Sequence, residues 1–270
     1  MLSWRDFQAE FRRPSRDLVD WARLRAARVL FFGVGGVGSC TATSLVRCGV
    51  GSYTLWDARQ VGPSNLSRSA YAIADLGSEK GAALANVLTS INPTIRVQNL
   101  HGDILKAPDD MIQGLARQHD VALVAADDFR VHERLNELLY PLVEAVYPVV
   151  TDEGNAGEII RTRPGEPGCV LCLTNNRDRR RAGVSRDFQA LGLDFARVAL
   201  EATAVTLSLL LRDQKGGERF ADYVRPGANL MVVITRRRGD LGVALPASFL
   251  NGTARVDLRA PGSACPVCGG

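Results

Sequence analysis

The sequence predicts an α/β fold with a mostly parallel sheet and an antiparallel extension at its C-terminal end. Two observations predict this class. Apolar strand-like runs alternate with helix-like segments from residue 28 to residue 151, as expected when helices cover both faces of a parallel sheet. After residue 157 this rhythm changes, and the runs at 230–237 and 253–260 could pair as a hairpin or an antiparallel extension.

Each element is placed by its own local pattern. Buried or alternating apolar runs predict strands at 28–32, 52–57, 94–100, 120–127, 146–151 and 157–163. Helical patterns lie at 36–48, 77–93, 109–118, 130–140 and 194–211. An amphipathic stretch from Ser15 to Ala27 predicts a further helix before the first strand. We therefore predict an N-terminal helical segment, residues 1–27, followed by one domain over residues 28–270.

Composition narrows the possible classes of protein. The 270 residues, 46% of them hydrophobic, are enough for one large core. A net charge of +4 gives little reason to expect a nucleic-acid partner. No apolar run is long enough to span a membrane, and the N-terminal region lacks the apolar stretch of a signal peptide. We therefore expect a cytoplasmic protein with no membrane partner.

The stretch "RVLFFGVGGVGSC" runs from an apolar strand through a glycine-rich turn into a helix. Its glycines, Gly33, Gly35, Gly36 and Gly38, satisfy G-x-G-x-x-G with one glycine added. Such a turn lets the backbone approach phosphate, which the N–H groups of the helix N-terminus then bind. Asp57 closes the next strand about 20 residues further on, where a carboxylate can accept from ribose hydroxyls. The turn predicts a Rossmann-like nucleotide site but does not distinguish ATP from NAD.

The segment after the second strand favours ATP. Its sequence supplies Asn65, Arg68 and Lys80, and Lys80 is one of only three lysines in the chain. Several cations and donors near the glycine-rich turn are what a triphosphate requires. Asp127 and Asp128 follow a buried strand, where a carboxylate can hold Mg²⁺ against the phosphates. Each residue alone also fits an ordinary role as a solvated charge or a helix cap, so the inference depends on their combination.

Two Cys-x-x-Cys pairs, "CVLC" and "CPVC", lie far apart in the second half of the chain. Their members are Cys169, Cys172, Cys265 and Cys268. This spacing predicts a tetrahedral zinc site of four thiolates, which has no open position for chemistry and is therefore structural. A redox pair or two sets of free thiols is the alternative interpretation.

A series of motifs resembles an E1-like adenylating domain of the ThiF/MoeB/HesA family. In chain order these are "GVGGVGS", "RCGVGSYTLWD", "SNLSR", "GSEK" and "INP", followed by the strand before Asp127 and the paired cysteines. The resemblance runs from about residue 28 to the C-terminus. It implies catalytic roles for Arg68, Lys80 and Asp127, with Asp127 on Mg²⁺ and Asp57 on the ribose. The ATP-binding set that it implies is Gly33, Gly35, Gly36, Gly38, Asp57, Asn65, Arg68 and Lys80.

The resemblance also implies a reaction and its partners. Such enzymes activate the C-terminal glycine of a small ubiquitin-like or sulfur-carrier protein that ends in Gly-Gly. The glycine carboxylate attacks the α-phosphate of ATP and gives an acyl-adenylate and pyrophosphate. A homodimer is expected, and an N-terminal arginine is often donated across it. The candidates for that arginine are Arg12, Arg13 and Arg16.

The sequence departs from the family pattern in several places. Members that form a thioester carry a cysteine in the loop after the first cysteine pair, and this loop has none. Cys40 and Cys48 are interpreted as small core residues, so we expect the chain to stop at the adenylate. Arg59 stands where many relatives carry an acid, and Asp128 stands where many carry an asparagine. The basic run Arg177–Arg181 is either solvated or a docking strip for an acidic partner.

Two other functions stay open at this point. An NAD-dependent oxidoreductase would use the same glycine-rich turn, although Arg68, Lys80 and Asp127 disfavour it. A zinc-stabilised scaffold with a degenerate nucleotide site would have no enzymatic activity.

Overall fold

The computed structural model describes residues 3–151, 156–172, 190–224, 230–234, 253–256 and 265–268. For the last two strands it describes the backbone only. The predicted basic run Arg177–Arg181 lies outside the described residues.

One sheet of eight strands organises the fold. The strands are β1 (Arg28–Phe32), β2 (Ser52–Asp57), β3 (Arg96–His101), β4 (Val121–Val124), β5 (Glu144–Thr151), β6 (Ala156–Thr162), β7 (Leu230–Ile234) and β8 (Thr253–Val256). Their spatial order is β3-β2-β1-β4-β5-β6-β7-β8. The first five strands are parallel, and the last three add antiparallel pairs. The predicted fold class, a mostly parallel sheet with an antiparallel extension, is confirmed.

Helices cover both faces of this sheet. They are α1 (Trp4–Arg12), α2 (Trp21–Ala26), α3 (Gly36–Arg47), α4 (Pro63–Leu66), α5 (Lys80–Ile91), α6 (Asp109–Gln118), α7 (Phe129–Leu139) and α8 (Gly192–Leu210). One apolar core lies under α3, α5 and α8, and a second lies under α6 and α7. Among the described helices, none has both the length and the apolar character that crossing a bilayer requires.

The N-terminal segment differs from its prediction. A helix was expected over Ser15 to Ala27, whereas helices form at Trp4–Arg12 and Trp21–Ala26 with turns between them. The reason is local: the side chain of Asp20 accepts a hydrogen bond from the backbone N–H of Arg23 and starts the second helix there. Arg23 in turn contacts Asp120 at 3.2 Å, so the segment packs on the α/β core. The boundary at residue 27 stays a prediction.

Nucleotides bind such sheets where the strand order reverses, outside the carboxyl ends of the strands. Here the chain passes outward from β1 to β2 and β3, then returns to β4 on the other side of β1. The crevice at the carboxyl ends of β1 and β4 is therefore the expected binding position.

Candidate active site

The glycine-rich turn closes tightly between β1 and α3. Gly33 has a φ of 87°, and a Cβ there would lie 2.8 Å from the backbone nitrogen of Ala126. A Cβ on Gly38 would clash with the carbonyl oxygen of Gly33, so the helix can approach the strand only through glycine. A Cβ on Gly35 would meet no atom within 4 Å. Gly35 therefore faces open space at the start of α3, where a phosphate could approach.

Asp57 ends β2 and lies beside this turn, 5% exposed. One carboxylate oxygen accepts from the backbone N–H of Val34 at 2.9 Å, and the other accepts from the N–H of Arg59 at 2.9 Å. The carboxylate thus ties the glycine-rich turn to the next loop. Each oxygen keeps acceptor capacity for a further donor such as a ribose hydroxyl.

Lys80 begins α5 and is only 3% exposed. The structure records no hydrogen bond or ion pair of its ammonium group with any residue in the described part of the chain. Burial lowers its pKa from the ordinary value of 10.5, and the positive charges of Arg59 and Arg68 act in the same direction. Asp57 and Asp127 partly oppose this shift. A buried lysine side chain whose ammonium makes no bond to a described residue is stabilised when a ligand supplies an anion.

Asp127 follows β4 and meets Arg59, which follows β2. Their side chains form an ion pair of 2.8 Å and are 71% and 56% exposed, respectively. Asp127 is thus an accessible carboxylate at the carboxyl edge, close enough to Lys80 to influence its pKa. An exposed oxygen donor of this kind fits Mg²⁺, which binds proteins through one or two carboxylates and keeps several waters.

Arg68 and Asn65 lie on the segment that contains α4. The guanidinium of Arg68 lies 5.1 Å from the ring centroid of Phe195, in the first turns of α8. Asn65 accepts the backbone N–H of Gly62 at 2.9 Å, so its carbonyl oxygen already holds the segment together. Of the predicted pair of acids, Asp128 has the ordinary role: it caps α7 through the N–H of Arg130 at 3.0 Å.

Sequence reasoning missed two residues of this site. Arg59 appeared only as a departure from the family pattern, yet it holds Asp127. Tyr71 is 5% exposed, and its hydroxyl donates to the carbonyl oxygen of Val34 at 2.6 Å and lies 3.2 Å from that of Lys80. It connects the glycine-rich turn to the start of α5. Its position among small residues in "SRSAYA" was the available signal.

The four predicted zinc ligands are brought together on the opposite face from α3 and α8. The sulfur atoms of Cys169, Cys172, Cys265 and Cys268 all lie within 4.8 Å of one another. Two of the sulfur–sulfur distances are 3.7 and 3.6 Å. Zinc–sulfur bonds of about 2.3 Å in a tetrahedron give sulfur–sulfur distances of about 3.8 Å, so the cluster fits zinc.

Neighbouring donors support this cluster. Asn136, 1% exposed on α7, places its amide nitrogen 3.5 Å from the sulfur of Cys169 and accepts the N–H of Val170 at 3.2 Å. The N–H of Gly168 donates to the sulfur of Cys268 at 3.3 Å. Burial raises the pKa of Cys169 to about 11, as expected for a thiol that deprotonates only when a metal binds.

The remaining cysteines are half-buried on or next to α3. Burial raises the pKa values of Cys40 and Cys48 above the ordinary value. A raised pKa reduces the thiolate fraction and hence the nucleophilicity of both thiols.

The fold and this site define a nucleotide-binding α/β protein with a glycine-rich turn and a four-cysteine cluster. The sequence model of the ThiF family matches residues 8–234, and the chain therefore belongs to the ThiF family.

Curated relatives agree with this assignment. The ubiquitin-like modifier-activating enzyme 5 of Drosophila melanogaster is 31% identical over 163 residues, covering 57% of this chain and 40% of the relative. That of Drosophila persimilis is 30% identical over 166 residues, covering 57% and 42%. The matched part is thus less than half the length of these relatives.

Solved structures show the same fold. E. coli MccB with ATP superposes with a TM-score of 0.68 at 18% identity, covering 92% of this chain and 68% of that one. MccB with N-formylated MccA gives 0.71 at 17% identity, covering 92% and 69%. At such identities the likeness shows the fold alone.

Proposed function

We propose that this chain is an E1-like adenylating enzyme that acts on the C-terminal glycine of a small ubiquitin-like or sulfur-carrier protein. Membership of the ThiF family supports adenylation. The relatives named for ubiquitin-like modifiers and the fold shared with MccB, solved with ATP and with MccA, support a protein or peptide substrate. The observation that carries the proposal is the lysine at the start of α5: its side chain is buried, it makes no hydrogen bond or ion pair with a described residue, and it lies within electrostatic reach of Asp57 and Asp127.

ATP would lie across the carboxyl edge, with its phosphates against the turn. Without side chains at Gly33, Gly36 and Gly38, the turn packs closely against its neighbours. Gly35 leaves the start of α3 open to a phosphate group. The backbone N–H groups of that helix bind the polyphosphate. Asp57 accepts from the ribose with its remaining lone pairs.

The reaction is an in-line displacement. A carboxylate oxygen of the terminal glycine forms a bond to the α-phosphorus, and the bond from that phosphorus to its bridging oxygen breaks. Pyrophosphate leaves with the electron pair, and the glycine becomes an acyl-adenylate. Because both reactants are anions, the protein's task is to hold them together and neutralise the developing charge.

Four side chains carry that task. Lys80 places a compact positive charge against the polyphosphate, and Arg68 offers planar donors held over the ring of Phe195. The carbonyl oxygen of Asn65 accepts the N–H of Gly62, and its amide nitrogen would donate to a phosphate oxygen. Asp127 would hold Mg²⁺, which supplies charge neutralisation of the phosphates when bound.

We propose further that the chain forms no thioester. The loop after Cys172 contains no cysteine, and the thiols of Cys40 and Cys48 have raised pKa values. The adenylate would pass to an acceptor on another molecule. The zinc cluster would tie the C-terminal tail to the first cysteine pair and so take no part in the chemistry.

Exchange of labelled pyrophosphate into ATP tests this function. We expect exchange only with a ubiquitin-fold protein that ends in Gly-Gly, and none with the same protein lacking its last glycine. Lys80→Ala and Asp127→Ala should reduce the exchange by at least about tenfold. Exchange that both variants leave unchanged would refute the site, and a bound nicotinamide cofactor with hydride transfer would favour the oxidoreductase.

A further inference from the structure

One ion pair crosses the candidate nucleotide site. Arg59, in the loop after β2, places its guanidinium 2.8 Å from the carboxylate of Asp127, in the loop after β4. These two strands flank β1 on either side, so the pair spans the crevice that the sheet order predicts for a nucleotide.

The backbone of Arg59 is fixed on both sides. Its N–H donates to Asp57 at 2.9 Å, and its carbonyl oxygen accepts the N–H of Lys80 at 3.0 Å. The side chain is therefore anchored between the residue proposed for the ribose and the cation proposed for the polyphosphate. Its charge also reaches Lys80, whose pKa it helps to lower.

We propose that Arg59 is a resident counter-cation of Asp127 that exchanges with Mg²⁺ when the nucleotide binds. This inference rests on the proposed function, because it concerns the same site. In the metal-free protein Arg59 neutralises Asp127 and leaves no bare carboxylate facing the polyphosphate. When a metal ion binds Asp127, this carboxylate releases the guanidinium of Arg59.

The exposure of the pair makes this exchange feasible. Ion pairs as exposed as this one change an equilibrium by a factor of only about 1.4 to 5, so the metal loses little by displacing the guanidinium. The consequence is a specific one: ATP binding by this chain should depend less on Mg²⁺ than it would without Arg59.

Calorimetric binding of a non-hydrolysable ATP analogue tests this, with EDTA and with saturating Mg²⁺. The readout is the ratio of the dissociation constant in EDTA to the dissociation constant in saturating Mg²⁺. In Arg59→Ala the bare Asp127 should repel the metal-free analogue while Mg²⁺ meets no competitor, so the ratio should rise about tenfold. Arg59→Asp should raise it further, and Arg59→Lys should keep most of the wild-type ratio.

The matched control is Arg130→Ala. Arg130 forms a similar exposed ion pair with Asp128, at 2.6 Å, one residue along the same loop. Its removal should leave the ratio unchanged. An unchanged ratio in Arg59→Ala and Arg59→Asp, or an equal loss of affinity with and without metal, would overturn the inference and leave the proposed function standing. If the wild-type chain binds no analogue under either condition, both fall.

Discussion

Replacement of Lys80 by methionine should separate the stability of the fold from its affinity for ATP. Methionine has similar length without the charge, so it fills the same space. Lys80 is 3% exposed, and its ammonium makes no recorded hydrogen bond to a described residue. In the free protein the charge therefore costs desolvation, which Asp57 and Asp127 offset only in part.

The magnitudes follow from that environment. Burial lowers the pKa of Lys80, so the native chain disfavours the charged form of this side chain. Burying a polar group without a hydrogen-bond partner costs about 1–3 kcal/mol in proteins, so we expect the free energy of unfolding of the Lys80→Met variant to exceed that of the wild type by an amount of this order. A hydrogen bond to a charged group is worth about 1.5–3 kcal/mol, so its ATP affinity should fall about 10- to 150-fold.

The pH dependence has a defined sign. Because the native pKa of Lys80 lies below 10.5, the unfolded chain keeps this proton over a range of pH where the native chain has lost it. The wild type should therefore gain stability relative to the methionine variant as pH rises through the native pKa towards 10.5.

Urea unfolding and calorimetric ATP binding measure both quantities. Lys106→Met is the matched control, since Lys106 is 85% exposed and pairs with Asp103 at 3.6 Å. It should change neither stability nor affinity by more than about 0.5 kcal/mol. A Lys80→Met variant that loses stability and still binds ATP normally would show that the lysine is structural, and the site would be wrong.

Four further outcomes are expected. Gly38→Ala should destabilise the fold by about 1–3 kcal/mol in urea unfolding, because its Cβ has no room. Gly35→Ala should change stability by less than about 1 kcal/mol and yet weaken ATP binding; equal destabilisation by both would contradict the assigned turn. Mass spectrometry should show that Cys172→Ser has lost its zinc. Asn136→Ala should lose zinc to a chelator about 10-fold faster or more than the wild type. Retention of zinc by both variants would exclude a four-cysteine site. After incubation with ATP and substrate protein, intact-mass spectrometry under non-reducing conditions should detect no thioester adduct on the chain, and an adduct that Cys40→Ala abolishes would restore a covalent role for this thiol.

Local patterns were sufficient to predict the sheet and the positions of its strands. The run at 28–32 is apolar because both faces of β1 are covered, and four of its five residues are buried. Gly33 and Gly38 were recognisable because only glycine permits that backbone approach. The cysteine cluster was predictable because metal-ligand spacing is local within each pair.

Contacts between loops were not predictable in the same way. Asp57 was expected to serve the ribose, and the structure shows that it also accepts two backbone N–H groups. Arg59 and Asp127 pair although 68 residues separate them in the sequence, and nothing in either segment specifies that contact. Such pairs depend on how the strand ends along one edge of the sheet are spaced, here β2 and β4 on the two sides of β1, and this spacing follows from the folded sheet alone.

The balance of charge at the carboxyl edge of the sheet favours ATP over a dinucleotide as the ligand. Lys80 is within electrostatic reach of Arg59, Arg68, Asp57 and Asp127, which gives three cations and two carboxylates in all. Asp127 is already paired with Arg59, and Asp57 is bonded to the backbone. Lys80 makes no hydrogen bond or ion pair with a described residue, so its positive charge remains for a ligand. A dinucleotide brings only a pyrophosphate, whereas ATP brings a longer polyphosphate that can reach Lys80 and Arg68 together. The proposed attack by the terminal glycine brings a second anion to the α-phosphate, so it requires that these cations, with the proposed Mg²⁺, neutralise enough of the polyphosphate charge to reduce the repulsion.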